Sequence, residues 1–192
     1  MTFSLCEYIS ENYYKMENYI VEKNVPILPD QGKQHWSDLD LLAIGKKVLL
    51  INCKDFLPSS KDKEKIVLNL NTAETYIKGK YVFLKDTTFK KIYIYGGTDK
   101  STLDFLGKKG IETIQLENIF CRYVKLIDDF LAELNKKKPS STKKGMRYYR
   151  VGNLTGVDKF ISYLLNNSLL NEDKVNNKLK EFKISELSRI KK

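Results

Sequence analysis

Two hydrophobic periods alternate along the chain. In residues 4–23, Leu5, Ile9, Tyr13, Met16 and Ile20 recur at spacings of three and four, the stripe of an amphipathic helix. Val25 to Leu28 then reads as a short strand, closed by the turn residues Pro29-Asp30-Gln31-Gly32. Ser37 to Phe56, SDLDLLAIGKKVLLINCKDF, gives two apolar strands meeting at Gly45-Lys46-Lys47, a three-residue hairpin loop. After the polar stretch Pro58–Lys63, a helix is predicted to Ile77, with Ile66, Leu70, Ala73 and Ile77 on one face. Lys91–Tyr95, KIYIY, is a strand. Gly96-Gly97-Thr98-Asp99 is a tight turn into a helix over Ser101–Gly107, with Ser101 as its N-cap. A strand over Ile111–Leu116 and a helix over Ile119–Leu134 follow. Strand, helix, strand, helix at these spacings predicts an α/β domain with a mixed central sheet flanked by helices.

The pattern changes character near residue 135. Residues 136–145, Lys-Lys-Lys-Pro-Ser-Ser-Thr-Lys-Lys-Gly, form a basic linker between a predicted α/β domain at 1–135 and a mostly helical extension at 146–192. The extension opens with MRYYRV at Met146–Val151, an isolated strand, and continues with helices near Gly156–Asn167 and Asn171–Phe182. Charge follows the same division. The chain of 192 residues carries a net charge of +10, yet residues 1–135 hold nineteen basic and nineteen acidic side chains. From Lys136 onward there are fifteen Lys/Arg against five Asp/Glu, so the whole excess belongs to the C-terminal third. Such a segment suits a phosphate backbone, with Lys136, Lys137, Lys138, Lys143, Lys144, Arg147 and Arg150 as nucleic-acid contacts; Tyr148 and Tyr149 would stack on bases. MRYYRV equally suits strand pairing in a homodimer.

Composition removes several function classes. The sequence has no run of eighteen apolar residues, and its N-terminus is acidic where a signal peptide is basic, so an intracellular, cytoplasmic protein with no membrane partner is expected. Cys6, Cys53 and Cys121 are odd in number, far apart and set in apolar patterns, which predicts reduced core thiols. One histidine, His35, excludes a multi-histidine metal centre. No Walker loop, dinucleotide fingerprint or nucleophile elbow occurs.

The candidate chemistry lies in the hairpin. With its turn centred on Lys46, Asp40 faces Asn52 across the strands, the two Cβ atoms roughly 5 Å apart. Strand alternation puts Lys54 on the same face and turns Leu49, Ile51 and Cys53 into a core. Asp38 shares the parity of Asp40, as a further carboxylate at the strand entrance. An acid, an amide and a lysine are thus expected at one end of an apolar hairpin.

Asp40-Leu41-Leu42-Ala43 followed by Leu49-Leu50-Ile51-Asn52-Cys53-Lys54 resembles the core motif of the restriction-endonuclease-like PD-(D/E)XK superfamily, which includes archaeal Holliday-junction resolvases. The likeness covers about twenty residues directly, and the element order extends it over roughly residues 1–130. It departs at Asn52, where the superfamily usually has an acid. The resemblance implies a restriction-endonuclease-like core and a Mg²⁺- or Mn²⁺-dependent deoxyribonuclease. Asp40, Asn52 and the Cys53 carbonyl would be the metal ligands, and Lys54 would position the attacking water. It also implies a glutamate on the first helix aimed at the metal. Glu7, Glu11 and Glu17 are the candidates, and the helical wheel places Glu17 nearest the edge of the apolar stripe. An amide at position 52 removes one negative charge from the metal set, so weakened binding is expected unless Glu17 or Asp38 compensates. The alternative is a nuclease-derived protein that binds nucleic acid or a protein partner without cutting.

Overall fold

The computed structural model describes residues 4–27, 37–55, 62–136, 156–166, 170–171 and 173–181. His35, Trp36, the linker lysines Lys137, Lys138, Lys143 and Lys144, and the MRYYRV segment with Arg147 and Arg150 lie outside the described residues. Two compact units are present, Met1–Ile119 and Phe120–Lys192. Among the described residues no helix is long and apolar enough to cross a membrane.

The first unit begins with helix α1, Leu5–Met16. Ser4 caps it, its hydroxyl accepting the Glu7 N–H at 3.2 Å. The predicted helix ran on to residue 23, but Asn18 takes a left-handed φ of 64° and ends the helix there. Ile20, which the helical stripe included, is 75% exposed and opens strand β1, Ile20–Ile27. Strands β2, Ser37–Ile44, and β3, Val48–Lys54, form the expected hairpin. Its register runs from Leu41 opposite Ile51 to Ile44 opposite Val48, with Gly45, Lys46 and Lys47 as the turn. Helix α2, Asp62–Lys80, leads through a 3-10 turn at Val82–Leu84 to strand β4, Phe89–Tyr95. Helix α3, Lys100–Lys108, and strand β5, Glu112–Gln115, complete the sheet. Asp99, not Ser101, is the α3 N-cap: its carboxylate accepts the Thr102 N–H, and the Ser101 hydroxyl donates to it as well.

The five strands lie in chain order, with β1-β2-β3 antiparallel and β3-β4-β5 parallel, a mixed sheet flanked by helices. Every residue of β3 but its last is buried, which marks it as the central strand. Ile66, Leu70, Ala73 and Ile77 of α2, the four residues the periodicity selected, pack on Leu42, Leu50, Tyr93 and Tyr95. The opposite face meets α1 along β1 to β3. Cys6, Cys53 and Cys121 are buried thiols outside any disulfide.

The second unit contains most of helix α4, Leu116–Lys136, then α5, Gly156–Asn166, and a further helix, α6, at residues 173–181. The Tyr123 hydroxyl donates to the buried Asp158 carboxylate and ties α4 to α5. Val124, Leu165 and Val175 line one small crevice between the three helices.

Candidate active site

The β1–β2 ladder is interrupted at Asp40. The β1–β2 register pairs Lys23 with Leu41 and Val25 with Leu39 but skips the step between them, where Asn24 has a φ of 49°. Leu39 and Val25 sit in the α2-side core together with Leu42. In an unbroken strand, Leu39 and Leu42 face opposite ways. Side-chain alternation therefore slips by one residue at Asp40 and Asn24. Released from the regular ladder, the Asp40 carboxylate accepts the Cys53 N–H at 2.6 Å, a main-chain donor of the neighbouring strand.

This slip separates two residues expected to face each other. Asn52 keeps step with Leu50 and with its parallel partner Tyr93, so it faces α2, whereas Asp40 turns toward the end of α1 that carries Glu7. Asn52 is buried, and among the described residues its side-chain oxygen has no hydrogen-bond partner; the same holds for the Tyr93 hydroxyl beside it. A buried unpaired amide is costly, and an apolar side chain of similar shape avoids that cost. Asn52→Leu is accordingly expected to raise stability by about 1 kcal/mol. Asn52→Glu, which restores the acid of the resembled motif, is expected to lose stability with no gain in metal affinity. Denaturant melts with and without Mn²⁺ check both, and Mn²⁺-dependent stabilisation of the glutamate variant would contradict the placement.

The glutamate that reaches the site is Glu7, in the first turn of α1. Its neighbours by charge are Lys54 and Asp55, and Asp40 in turn feels Glu7. Glu17 is the C-cap residue of the same helix. Ten residues at about 1.5 Å each put it roughly 15 Å from Glu7 along the axis, so it does not join Asp40. Glu11 is held elsewhere, paired with Lys15 at 2.5 Å and Lys23 at 2.9 Å. Those two pairs outweigh its burial and hold its carboxyl below the usual range. A helical wheel records angle and not depth along the axis, which is why it favoured Glu17. The missed signal was Ser4-Leu5-Cys6-Glu7, a capping-box spacing that fixes both the helix start and Glu7.

Asp55 anchors this end of α1, its Oδ1 accepting the Cys6 N–H at 2.6 Å. Asp38 is exposed; its carbonyl accepts from Asn69 of α2 at 3.1 Å, and its charge bears on Asp40. Lys54 is exposed as the last residue of β3. Burial pushes the Asp40 carboxyl up to about 6, against the Cys53 N–H and Lys54, with Glu7 and Asp38 adding to the rise. Glu7 is raised as well, again by burial first, with Lys54 and the Ser4 hydroxyl opposing.

Asp40 feels Glu7 and Asp38 against Lys54, and Glu7 feels Asp55 against Lys54 and Lys23. Among the described residues no three His, Cys, Asp or Glu side chains converge closely enough to hold a metal ion alone. Two carboxylates still suit Mg²⁺, which keeps several waters and takes one or two protein acids together with substrate phosphate. Glu7 and Asp40 are the hard oxygen donors at this end of the sheet, whereas Asn52 faces α2 and Glu17 lies at the far end of α1. No family model, curated protein or solved structure matches the chain.

Proposed function

We propose that the chain is a metal-assisted phosphodiester hydrolase acting on DNA, with Glu7, Asp40 and Lys54 as its working groups. The observation that carries this reading is Asp40: a half-buried carboxylate, raised to about 6, that accepts the Cys53 N–H and feels the charges of a second raised acid, Glu7, and of Lys54. Acids left short of positive charge at the end of a central strand have the electrostatics of a cation site. The element order, an antiparallel hairpin followed by a helix and a parallel strand, is in line with the resembled core.

A bound Mg²⁺ or Mn²⁺ would supply Lewis-acid polarisation of the phosphate and a more acidic water. The chain's own residues do the rest. Asp40 is oriented by the Cys53 N–H, which it accepts at 2.6 Å, and with Glu7 it would hold the ion. Glu7 offers a carboxylate from a capped helix start, where the backbone is held by Ser4 and Asp55. Lys54, exposed as the last residue of β3, would orient a water and offset charge growing on the phosphate. Glu7 and Asp40 would hold the ion as carboxylates, so metal affinity is expected to rise as pH passes 6 and Asp40 ionises.

The test is incubation with supercoiled, linear and four-way-junction DNA in Mg²⁺ or Mn²⁺. Glu7→Gln, Asp40→Asn and Lys54→Ala are each expected to lower cleavage by about 100-fold or more. Cleavage surviving the Asp40→Asn/Lys54→Ala double variant would place the chemistry elsewhere. A second reading, a nuclease-like protein that holds nucleic acid without cutting, draws on Asn52 standing in the position of the usual acid. It expects DNA binding with no strand scission in either metal.

A further inference from the structure

At the other end of β3 and β4 lies an open groove of about 580 Å³ whose lining includes five lysines: Lys46, Lys47, Lys90, Lys91 and Lys109. They come from three separate segments, the hairpin turn, the start of β4 and the end of α3. Two of the five are ion-paired. Lys90 pairs with Glu112, and Lys91 pairs with Glu74 at 2.7 Å and donates to Asn71. Lys46, Lys47 and Lys109 are exposed and make no ion pair among the described residues. The groove therefore concentrates about three uncompensated positive charges within a segment, residues 1–135, that is neutral overall.

Its walls are built to keep that charge. Gly45 packs against the Tyr19 ring, so close that a Cβ there would lie 2.8 Å from the ring, and this holds the lysine turn in place. The C-terminus of α3 would normally present bare carbonyls that repel an anion. Here the Ile111 N–H returns to the Leu106 carbonyl at 3.1 Å and the Gly110 N–H to Gly107 at 3.0 Å, with Gly110 at a φ of 71°. The remaining lining polar groups include the Thr87 and Thr88 hydroxyls.

We infer that this groove docks the phosphate backbone of a nucleic acid, independently of the Asp40 site. Its lysines are point charges and not arginine forks, and its one lining aromatic, Phe89, is buried and offers no platform for a base. That chemistry contacts phosphates without reading sequence. β3 separates the groove from Lys54 by seven residue steps, about 23 Å, so occupancy of one does not require the other. None of its lining residues belongs to the basic segment from Lys136 onward.

The experiment is fluorescence anisotropy of the full chain on a 20-base-pair duplex, in EDTA so that cleavage plays no part, across 50–200 mM salt. The triple variant Lys46→Gln/Lys47→Gln/Lys109→Gln is compared with Lys65→Gln/Lys85→Gln/Lys100→Gln, which removes equal charge elsewhere. Three phosphate contacts contribute a slope of about −2.7 in log affinity against log salt. The affinity ratio of wild type to the groove variant should thus shrink about 40-fold between 50 and 200 mM, with little change for the control variant. Equal slopes for wild type and groove variant would overturn the inference, and so would an equal loss in the control. Poly-glutamate in place of DNA distinguishes an acidic protein partner: if it binds as tightly and with the same lysine dependence, the occupant is wrong. Circular dichroism confirms that both variants keep their fold.

Discussion

Asp40→Asn is expected to make the protein more stable at pH 7.5 while abolishing cleavage. Asp40 has a folded-state value of about 6 against an ordinary 3.8. A carboxyl raised on folding contributes its stability fully below the unfolded value and loses it as pH rises through the folded one. The loss therefore falls between about pH 4 and pH 6, and above that window it amounts to about 3 kcal/mol. An asparagine keeps an oxygen for the Cys53 N–H and has no charge to desolvate. Allowing for a weaker bond to a neutral acceptor, the net gain at pH 7.5 is about 2 kcal/mol. At pH 4 wild-type Asp40 is already protonated and the gain should vanish. Glu11 and Glu74, whose carboxyls are lowered by lysine pairs, lose stability in the opposite direction on acidification. They are common to both proteins and cancel in the difference. Urea melts at pH 4.0 and 7.5 measure it. A variant less stable than wild type at pH 7.5, or an equal gap at both pH values, would show that Asp40 is not held at a cost. Mn²⁺ should narrow the gap at pH 7.5 by stabilising wild type alone.

That expected gain depends on a feature absent from any local pattern. The hairpin was legible because Gly45-Lys46-Lys47 interrupts two apolar runs, and its register agrees at all four pairs from Leu41–Ile51 to Ile44–Val48. Helix α2 and strand β4 were legible for the same reason, a clean period of 3.6 or of 2. The slip at Asn24 and Asp40 was not, because it arises from two strands distorting together, and only Asn24's tolerance of positive φ hints at it. Asn18 carried a readable signal, an asparagine just past a helix end, but Ile20 fell in step with the stripe and hid it. Asp99 also carried one, lying three residues before Thr102, and lost to the nearer serine. Depth along α1 separates Glu7 from Glu17, and only packing against the sheet sets that. The lysine groove was invisible because its three segments are distant in sequence.

Gly96→Ala is expected to cost about 2–4 kcal/mol and to disable the site from outside it. Gly96 follows β4, and its N–H donates to the Lys54 carbonyl at 2.9 Å. A Cβ built there would lie 2.3 Å from the Asp55 carbonyl oxygen and 3.2 Å from its carbon. Both are main-chain atoms, so no rotamer change relieves the clash, and the ends of β3 and β4 must part. Asp55 anchors Cys6 at the start of α1, and Lys54 is its neighbour, so separation moves Glu7 and Lys54 relative to Asp40. The expectation at sequence level, a glycine pair serving a tight turn, gains a specific cause at Gly96: close approach of another backbone. Gly79 and Gly107 make the matched contrast, since they lie within helices and a Cβ on either meets nothing within 4 Å. Gly79→Ala and Gly107→Ala are each expected to add about 0.5–1 kcal/mol through helix propensity. Three urea melts order the variants. Gly96→Ala as stable as wild type would mean that the strand ends have room to move. A destabilised Gly96→Ala that kept the wild-type change in stability between pH 4 and 6 would mean that Asp40 does not depend on this junction. The expected result is both a lower midpoint and a flatter pH profile, because opening the junction admits water to Asp40 and lets its carboxyl fall back toward its ordinary range.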